Sequence, residues 1–177
     1  REFLNFLAFK IFPSTQYIRH KSDPMFTPEP DLVHEFIGHT AMFNDKVFTE
    51  FSHAIGLASL GANDADLDKL ARIYWYTIEF GFTKENGELK AYGGGLLSSP
   101  GEMSNALSGK VGHLDFDLEK MGVHPIDYSD INVDYFIVPS YEEMAEKVRA
   151  YATNIQRPFN AVYNEETMSI DIYNKKI

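Results

Sequence analysis

The chain has 177 residues, 44% hydrophobic and 14% aromatic, with a net charge of −10 and no cysteine. That length suits one sizeable core in a single domain, and without cysteine any metal must be held by nitrogen and oxygen, not by thiolate zinc, an ordinary iron–sulfur cluster or cysteine-ligated haem. The acidic balance disfavours nucleic acid and anionic membranes as partners, no apolar run is long enough to span a bilayer, and no signal peptide opens the chain, so the expectation is a cytoplasmic protein.

Residues 3 to 12 alternate loosely between rings and aliphatics, which reads as a buried turn or short strand ahead of Ser14-Thr15-Gln16. Arg19 comes next, in apolar surroundings. A buried guanidinium wants a planar anion, and the residues alone offer an ion pair to Asp23, Glu29 or Asp31. His20 has no ligand-like spacing and reads as structural.

The rest of the chain is organised around the stretch from Thr27 to His39. Pro28 and Pro30 suit a chain entering a helix, Asp31 can accept the first free amides, and Leu32, Val33, Phe36 and Ile37 give an apolar helical face. His34 and His39 are five residues apart, which on an ideal α-helix separates them by roughly 140°. They converge only if the helix loosens or ends between them, most easily at Gly38. This spacing argues against a HExxH peptidase, whose histidines lie four apart. It leaves two readings open: a packed imidazole with a helix-terminal cation, or a pair gripping a metal.

A helix is predicted from Lys46 to Leu60, closed by Gly61 and carrying His53 as an ordinary surface or core residue. A second runs from about Asp64, capped by Asn63 or Asp64, to Phe80. The short loop between them permits packing that brings the second helix beside the histidine segment. Glu79 lies in its apolar run Ala71 to Phe82, where a carboxylate is costly unless paired or metal-bound. Arg72 gives the internal ion-pair reading. Two histidines and one carboxylate give instead the facial triad of non-haem iron(II) oxygenases, with His34, His39 and Glu79 as the ligands.

Lys84 to Glu88, with Asn86-Gly87 inside, signals a hairpin. Gly93-Gly94-Gly95 lets backbone approach closely, and Ser98 or Ser99 can cap a helix near Gly101 to Leu107. From Lys110 to Asn132 no pattern emerges, and His113 and His124 read as exposed. Val133 to Val138 reads as a strand. Ser140 to Glu143 is a capping box opening a helix to about Asn154, with Met144, Val148 and Tyr151 inward. Residues 159 to 163 and 168 to 173 make a terminal hairpin. The fold class is mainly α: a compact helical domain with short β-hairpins.

Several stretches, in order and across nearly the whole chain, resemble the tetrahydropterin-dependent aromatic amino acid hydroxylases. They are Phe6-Leu7-Ala8-Phe9-Lys10-Ile11-Phe12, Thr15-Gln16-Tyr17-Ile18-Arg19-His20, Thr27-Pro28-Glu29-Pro30-Asp31 with His34-Glu35 and Gly38-His39, Ile55 to Ala62, Ile78-Glu79-Phe80-Gly81, and Gly95-Leu96-Leu97-Ser98-Ser99. The resemblance implies residues 1 to 177 are a single, N-terminally truncated catalytic domain, its C-terminal part, from a homo-oligomer in the full-length protein. It implies an iron(II) monooxygenase using tetrahydrobiopterin, an aromatic amino acid and dioxygen. Phe3, Glu35, Ala71 and Tyr74 would lie at the pterin. Arg19 and Thr27 would hold the polar end of the amino acid, with Arg19 on its α-carboxylate, while Pro30, Trp75, Phe80 and Gly95 frame its ring and Ser99 lies nearby. Glu35 and Ser98 would support catalysis, Ser98 behind a metal-bound histidine. Pro13 stands where the family usually has histidine or glutamine, so pterin contacts can differ. Trp75 resembles the phenylalanine and tyrosine enzymes, Thr27 the phenylalanine or tryptophan type, and Asp127 and Asp130 flank Tyr128 near an acidic position tied to tyrosine preference. Phenylalanine is the leading substrate, with tyrosine or tryptophan hydroxylation, or a zinc metallohydrolase using Glu35 as base, as alternatives.

Overall fold

A computed structural model describes every residue except Phe26, Pro28, Ser129 and residues 175–177, so the helix-entry role read for Pro28 lies outside the described residues. The chain opens with helix α1 (Glu2–Ala8) rather than the turn or strand expected there. Leu4, Leu7 and Ala8 are buried while Phe6 and Phe9 are exposed, a helical and not an alternating period. The density of rings on both faces hid that period in the sequence.

A π-helix (His34–Thr40) and a 3₁₀ turn (Met42–Asn44) lead into α2 (Lys46–Ser59), capped by the Asp45 carboxylate on the Val47 and Phe48 amides. Gly61 then turns the chain with φ +76°. α3 (Asp64–Tyr74) is capped by Asn63, whose side chain accepts from the Asp66 amide, and passes directly into a second π-helix (Trp75–Glu79). The Arg72–Glu79 ion pair does not form: Arg72 bonds Asp68 one turn back (2.9 Å) and the His124 carbonyl (2.7 Å).

Strands β1 (Phe82–Glu85) and β2 (Glu88–Ala91) form the predicted hairpin, with Asn86 and Gly87 at φ 52° and 82°. Helices α4 (Gly94–Ser98) and α5 (Pro100–Ala106) come next, then β3 (Gly112–Asp115), α6 (Leu118–Val123), β4 (Asp134–Ile137), α7 (Tyr141–Ala152) and the hairpin of β5 (Asn160–Asn164) and β6 (Ser169–Tyr173). The first four strands build one sheet in the order β2-β1-β4-β3, with β4 parallel to both neighbours. Parallel pairing joins segments distant in sequence, so β3 left no local pattern in the stretch from Lys110 to Asn132, whereas α6 carries a local cap there, Asp117 accepting from the Glu119 and Lys120 amides.

The same pairing corrects the two histidines read as exposed. Both are half-buried: His113 stacks on Tyr135 with ring centroids 6.0 Å apart, and His124 packs on Tyr76 and Phe136 with its Nε2 3.2 Å from Asp134. α2 carries the main core, where Phe48, Phe51 and Ile55 are fully buried against side chains of α1, α3 and α7. Each such side chain contributes roughly 1.5–3 kcal/mol of transfer free energy. Among the described residues no helix is long and apolar enough to cross a membrane.

Candidate metal centre and substrate pocket

The five-residue histidine spacing is resolved by local backbone. In the first π-helix the i→i+5 hydrogen-bond pattern stacks residue i+5 over residue i, so His34 and His39 share a face that an α-helix would have denied them. Their Nε2 atoms stand 2.9 Å apart. The second π-helix ends on Glu79 and delivers its carboxylate to the same point, with Oε1 3.1 Å from His39 Nε2 and Oε2 3.4 Å from His34 Nε2.

Two facing imidazole lone pairs repel unless a proton or a cation lies between or beside them, and the carboxylate adds a third donor. The donor set of two nitrogens and one oxygen fits a borderline divalent metal such as iron(II). A second carboxylate, Glu35, has an oxygen within 4.8 Å of one ring nitrogen of each histidine. It is the more distant of the two acids, and one of its oxygens accepts the Thr15 amide at 3.3 Å. Its other oxygen and the His39 Nδ1 are buried without a hydrogen-bond partner among the described residues.

The groups tune one another. Burial pushes the His34 imidazole down, against Glu79's charge. Burial would do the same to His39, but Glu79's charge and hydrogen bond, with Glu35's charge, outweigh it and hold His39 above its ordinary value. Burial disfavours the Glu79 carboxylate; the charge and hydrogen bond of His39, the charge of His34 and the Gly95 amide reverse that and lower its pKa. Burial raises Glu35. Glu79 is thus an anion beside two imidazoles, as a ligand must be.

α4 seats this centre. The Ser98 hydroxyl donates to the Gly94 carbonyl (2.7 Å), so its oxygen accepts from His34 Nδ1 at 2.9 Å. That fixes the tautomer with Nδ1 protonated and the Nε2 lone pair free. Gly94 is required where it stands, since a Cβ there would lie 2.5 Å from His39 Cε1. The glycine triplet provides this close approach to an imidazole. Of the two serines, Ser99 rather than Ser98 caps α5, accepting from the Glu102 amide at 3.2 Å.

Arg19 is paired. Its Nε and Nη2 meet the two oxygens of buried Asp31 at 2.9 and 2.8 Å, and its own amide meets Asp31 at 2.8 Å. Asp31 also accepts the His34 amide (3.0 Å), so one carboxylate links the arginine to the ligand helix. Among the described residues the remaining nitrogen, Nη1, makes only long bonds, to the carbonyls of Pro24 (3.4 Å) and Ser98 (3.3 Å). Thr27 Oγ1 bonds the Tyr17 hydroxyl and the Glu29 carbonyl, each at 2.6 Å, and Pro30 is exposed with its carbonyl on Thr15.

Trp75 lies against Phe80 (ring centroids 4.5 Å) and Tyr128 (4.9 Å), and Phe80 rests on Gly95, where a Cβ would come within 2.5 Å of the ring. Phe3 packs edge-on against Tyr74 at 5.1 Å; Ala71 is half-buried one turn earlier. Tyr74's hydroxyl is buried without a partner among the described residues, and burial, with the Glu79 and Glu35 charges, raises its pKa well above normal. Pro13 is half-buried. Nothing in the sequence signals that Gly94 meets the His39 ring, that the Trp75 indole donates to Asn132 Oδ1 (3.0 Å) or that Asn132 donates to Glu102 (2.6 Å). Spacing gives no sign of the latter two, because α5 and the Asn132 segment meet only in three dimensions.

The chain belongs to the biopterin-dependent aromatic amino acid hydroxylases, whose family model matches residues 1–177. Tyrosine 3-monooxygenase of Rattus norvegicus is 48% identical over 172 residues, covering 97% of this chain and 34% of that protein. Phenylalanine-4-hydroxylase of Bos taurus is 48% identical over 172 residues, covering 97% of this chain and 38% of that protein. The chain therefore spans little more than a third of these relatives. Among solved structures, phenylalanine hydroxylase of Chromobacterium violaceum with bound iron(III) and oxidised 7,8-dihydrobiopterin superposes with TM-score 0.79 at 30% identity, covering 85% of this chain and 56% of that one. Phenylalanine hydroxylase of Legionella pneumophila gives TM-score 0.78 at 32% identity, covering 89% and 71%.

Proposed function

We propose that this chain carries the iron and substrate sites of a hydroxylase that adds one oxygen atom from dioxygen to the ring of an aromatic amino acid, with phenylalanine as the substrate and tyrosine as the product. The observation that carries the reading is the convergence of His34, His39 and Glu79 on one point. When bound, iron(II) and a tetrahydropterin supply the electrons and the activation of dioxygen.

Everything else is placement by the chain. His34, His39 and Glu79 hold the metal, and Ser98 keeps His34 in the tautomer that presents Nε2. Asp31 fixes the Arg19 guanidinium and leaves Nη1 for the substrate's α-carboxylate, with Thr27 beside it. Trp75, Phe80, Gly95 and Pro30 frame the ring, with Ser99 at the edge. Glu35, Ala71, Tyr74 and Phe3 line the pterin side, and apolar walls exclude water from the chemistry. Phenylalanine is favoured by Trp75 with Thr27. Tyrosine hydroxylation of the same site is the second reading, favoured by equal identity to the two kinds of enzyme.

The test is aerobic incubation with iron(II), tetrahydrobiopterin and equimolar phenylalanine, tyrosine and tryptophan. Tyrosine formed at the expense of phenylalanine supports the reading. Dihydroxyphenylalanine or hydroxytryptophan in excess would keep the chemistry and replace the substrate. No pterin-dependent product, with zinc and not iron retained, would move the assignment to a metallohydrolase with Glu35 as base.

A further inference from the structure

Glu102 on α5 is 6% exposed, an acid in the interior with three neutral donors on one oxygen. Its Oε1 accepts from the Asn132 amide (3.1 Å), Asn132 Nδ2 (2.6 Å) and the Tyr135 hydroxyl (2.8 Å). Asn105 Nδ2 completes the ring of bonds, donating to the Asn132 carbonyl (2.9 Å) and the Tyr135 oxygen (3.1 Å). On the far side of Asn132, Oδ1 accepts from the indole Nε1 of Trp75 at 3.0 Å.

The polarity along this line is forced. The indole N–H can only donate, so Asn132 must turn its Oδ1 toward Trp75, and its NH₂ then faces Glu102 Oε1. A buried carboxylate is costly, and one that orders neutral donors toward an aromatic wall is placed for a directional task. That wall is packed on its other side, since Trp75 meets Phe80 with ring planes tilted by 43° and Phe80 rests on Gly95.

We propose that Glu102 is a positioning residue: through Asn132 it fixes the Trp75 indole in the orientation that makes one wall of the substrate-ring pocket. This rests on the hydroxylase reading for the pocket's occupant, while the relay itself stands on the hydrogen bonds alone. Glu102 thereby sets how tightly an aromatic side chain is gripped without touching it.

Trp75 is the only tryptophan in the sequence, so its emission reports the relay directly. Asn132→Leu and Glu102→Ala should each shift that emission and raise KM for phenylalanine about tenfold, as expected for loss of one buried hydrogen bond, with kcat and bound iron little changed. Glu102→Gln, which keeps an acceptor toward Asn132, should fall closer to the native protein than Glu102→Ala. In a Trp75→Phe background, Asn132→Leu should add no further rise in KM, because the indole it acts through is gone.

The proposal is overturned if Asn132→Leu leaves both emission and KM unchanged, or if it raises KM equally in the Trp75→Phe background. Should the unsubstituted protein form no hydroxylated amino acid at all, the hydroxylase reading fails instead. The emission of Asn132→Leu and of native protein titrated with L-phenylalanine then decides the relay by itself.

Discussion

Single side chains around the centre differ in what their loss should do. Glu79→Ala removes a donor atom and leaves two imidazoles facing each other, so iron retention should fall sharply. Stoichiometric iron in that variant, measured after gel filtration, would exclude Glu79 as a ligand. Ser98→Ala frees the His34 ring and should weaken iron by about 10–100-fold, the usual cost of losing a partner that orients a ligand. Asp31 makes a different prediction. Hydrogen bonds from Arg19 hold its carboxyl far below the ordinary range despite burial. A depressed folded pKa contributes stability that is fully present above the unfolded value of about 3.9 and is lost as pH falls below it. Asp31→Asn should abolish that acid-side loss in a pH series of unfolding midpoints. At neutral pH it should cost about 3–5 kcal/mol, because Arg19, with its side chain 10% exposed, loses its anion.

Elements carry the next set of consequences. Both π-helices turn a converging side chain toward the same point, and each meets α4. Gly94→Ala places a methyl against the His39 ring, and the expected outcome is a loss of iron affinity larger than the loss in thermal midpoint, since the clash is with a side chain proposed to hold the metal and not with the core. Equal, small changes in both would show that the ring can slide aside. The histidine pattern was legible in the sequence for a definite reason: a spacing of five is wrong for an α-helix, so either the helix or the metal had to give. Glu79 was legible as an acid in an apolar run. Helices α2, α3 and α7 and the hairpin turn at Asn86-Gly87 carried local caps and turn residues and were readable for that reason. What stayed hidden depends on distant partners: the parallel β1-β4-β3 pairing, the burial of His113 and His124, and the Glu102–Asn132–Trp75 line. At α1, exposed rings, Phe6 within the helix and Phe9 just past its end, masked a helical period.

For the whole molecule, metal content should set the thermal midpoint. A ligand that binds only the folded chain stabilises it by about 2.7 kcal/mol at one hundred times its Kd. For a domain of this size that is a rise of roughly 5–10 °C, lost on adding a chelator and restored by iron(II). No change in midpoint on iron addition would mean the three donors do not hold it. A second whole-molecule expectation concerns alkali. Burial pushes Tyr76 and Tyr141 up to about 12. A raised folded pKa gives stability that is present below the unfolded value near 10 and disappears as pH climbs from there toward 12. Tyr141→Phe should therefore flatten the alkaline fall in stability.

The bond between His34 and Ser98 spans 64 positions of chain, and Glu79 reaches the histidines from another helix. Closing such loops costs entropy, and the metal can offset that cost only once all three side chains are in place, so the expectation is that its hold forms after the folding transition state. Interactions absent from the transition state act on the unfolding rate alone. Iron should leave the speed of refolding untouched and lengthen the lifetime of the folded chain, acting as a latch closed last.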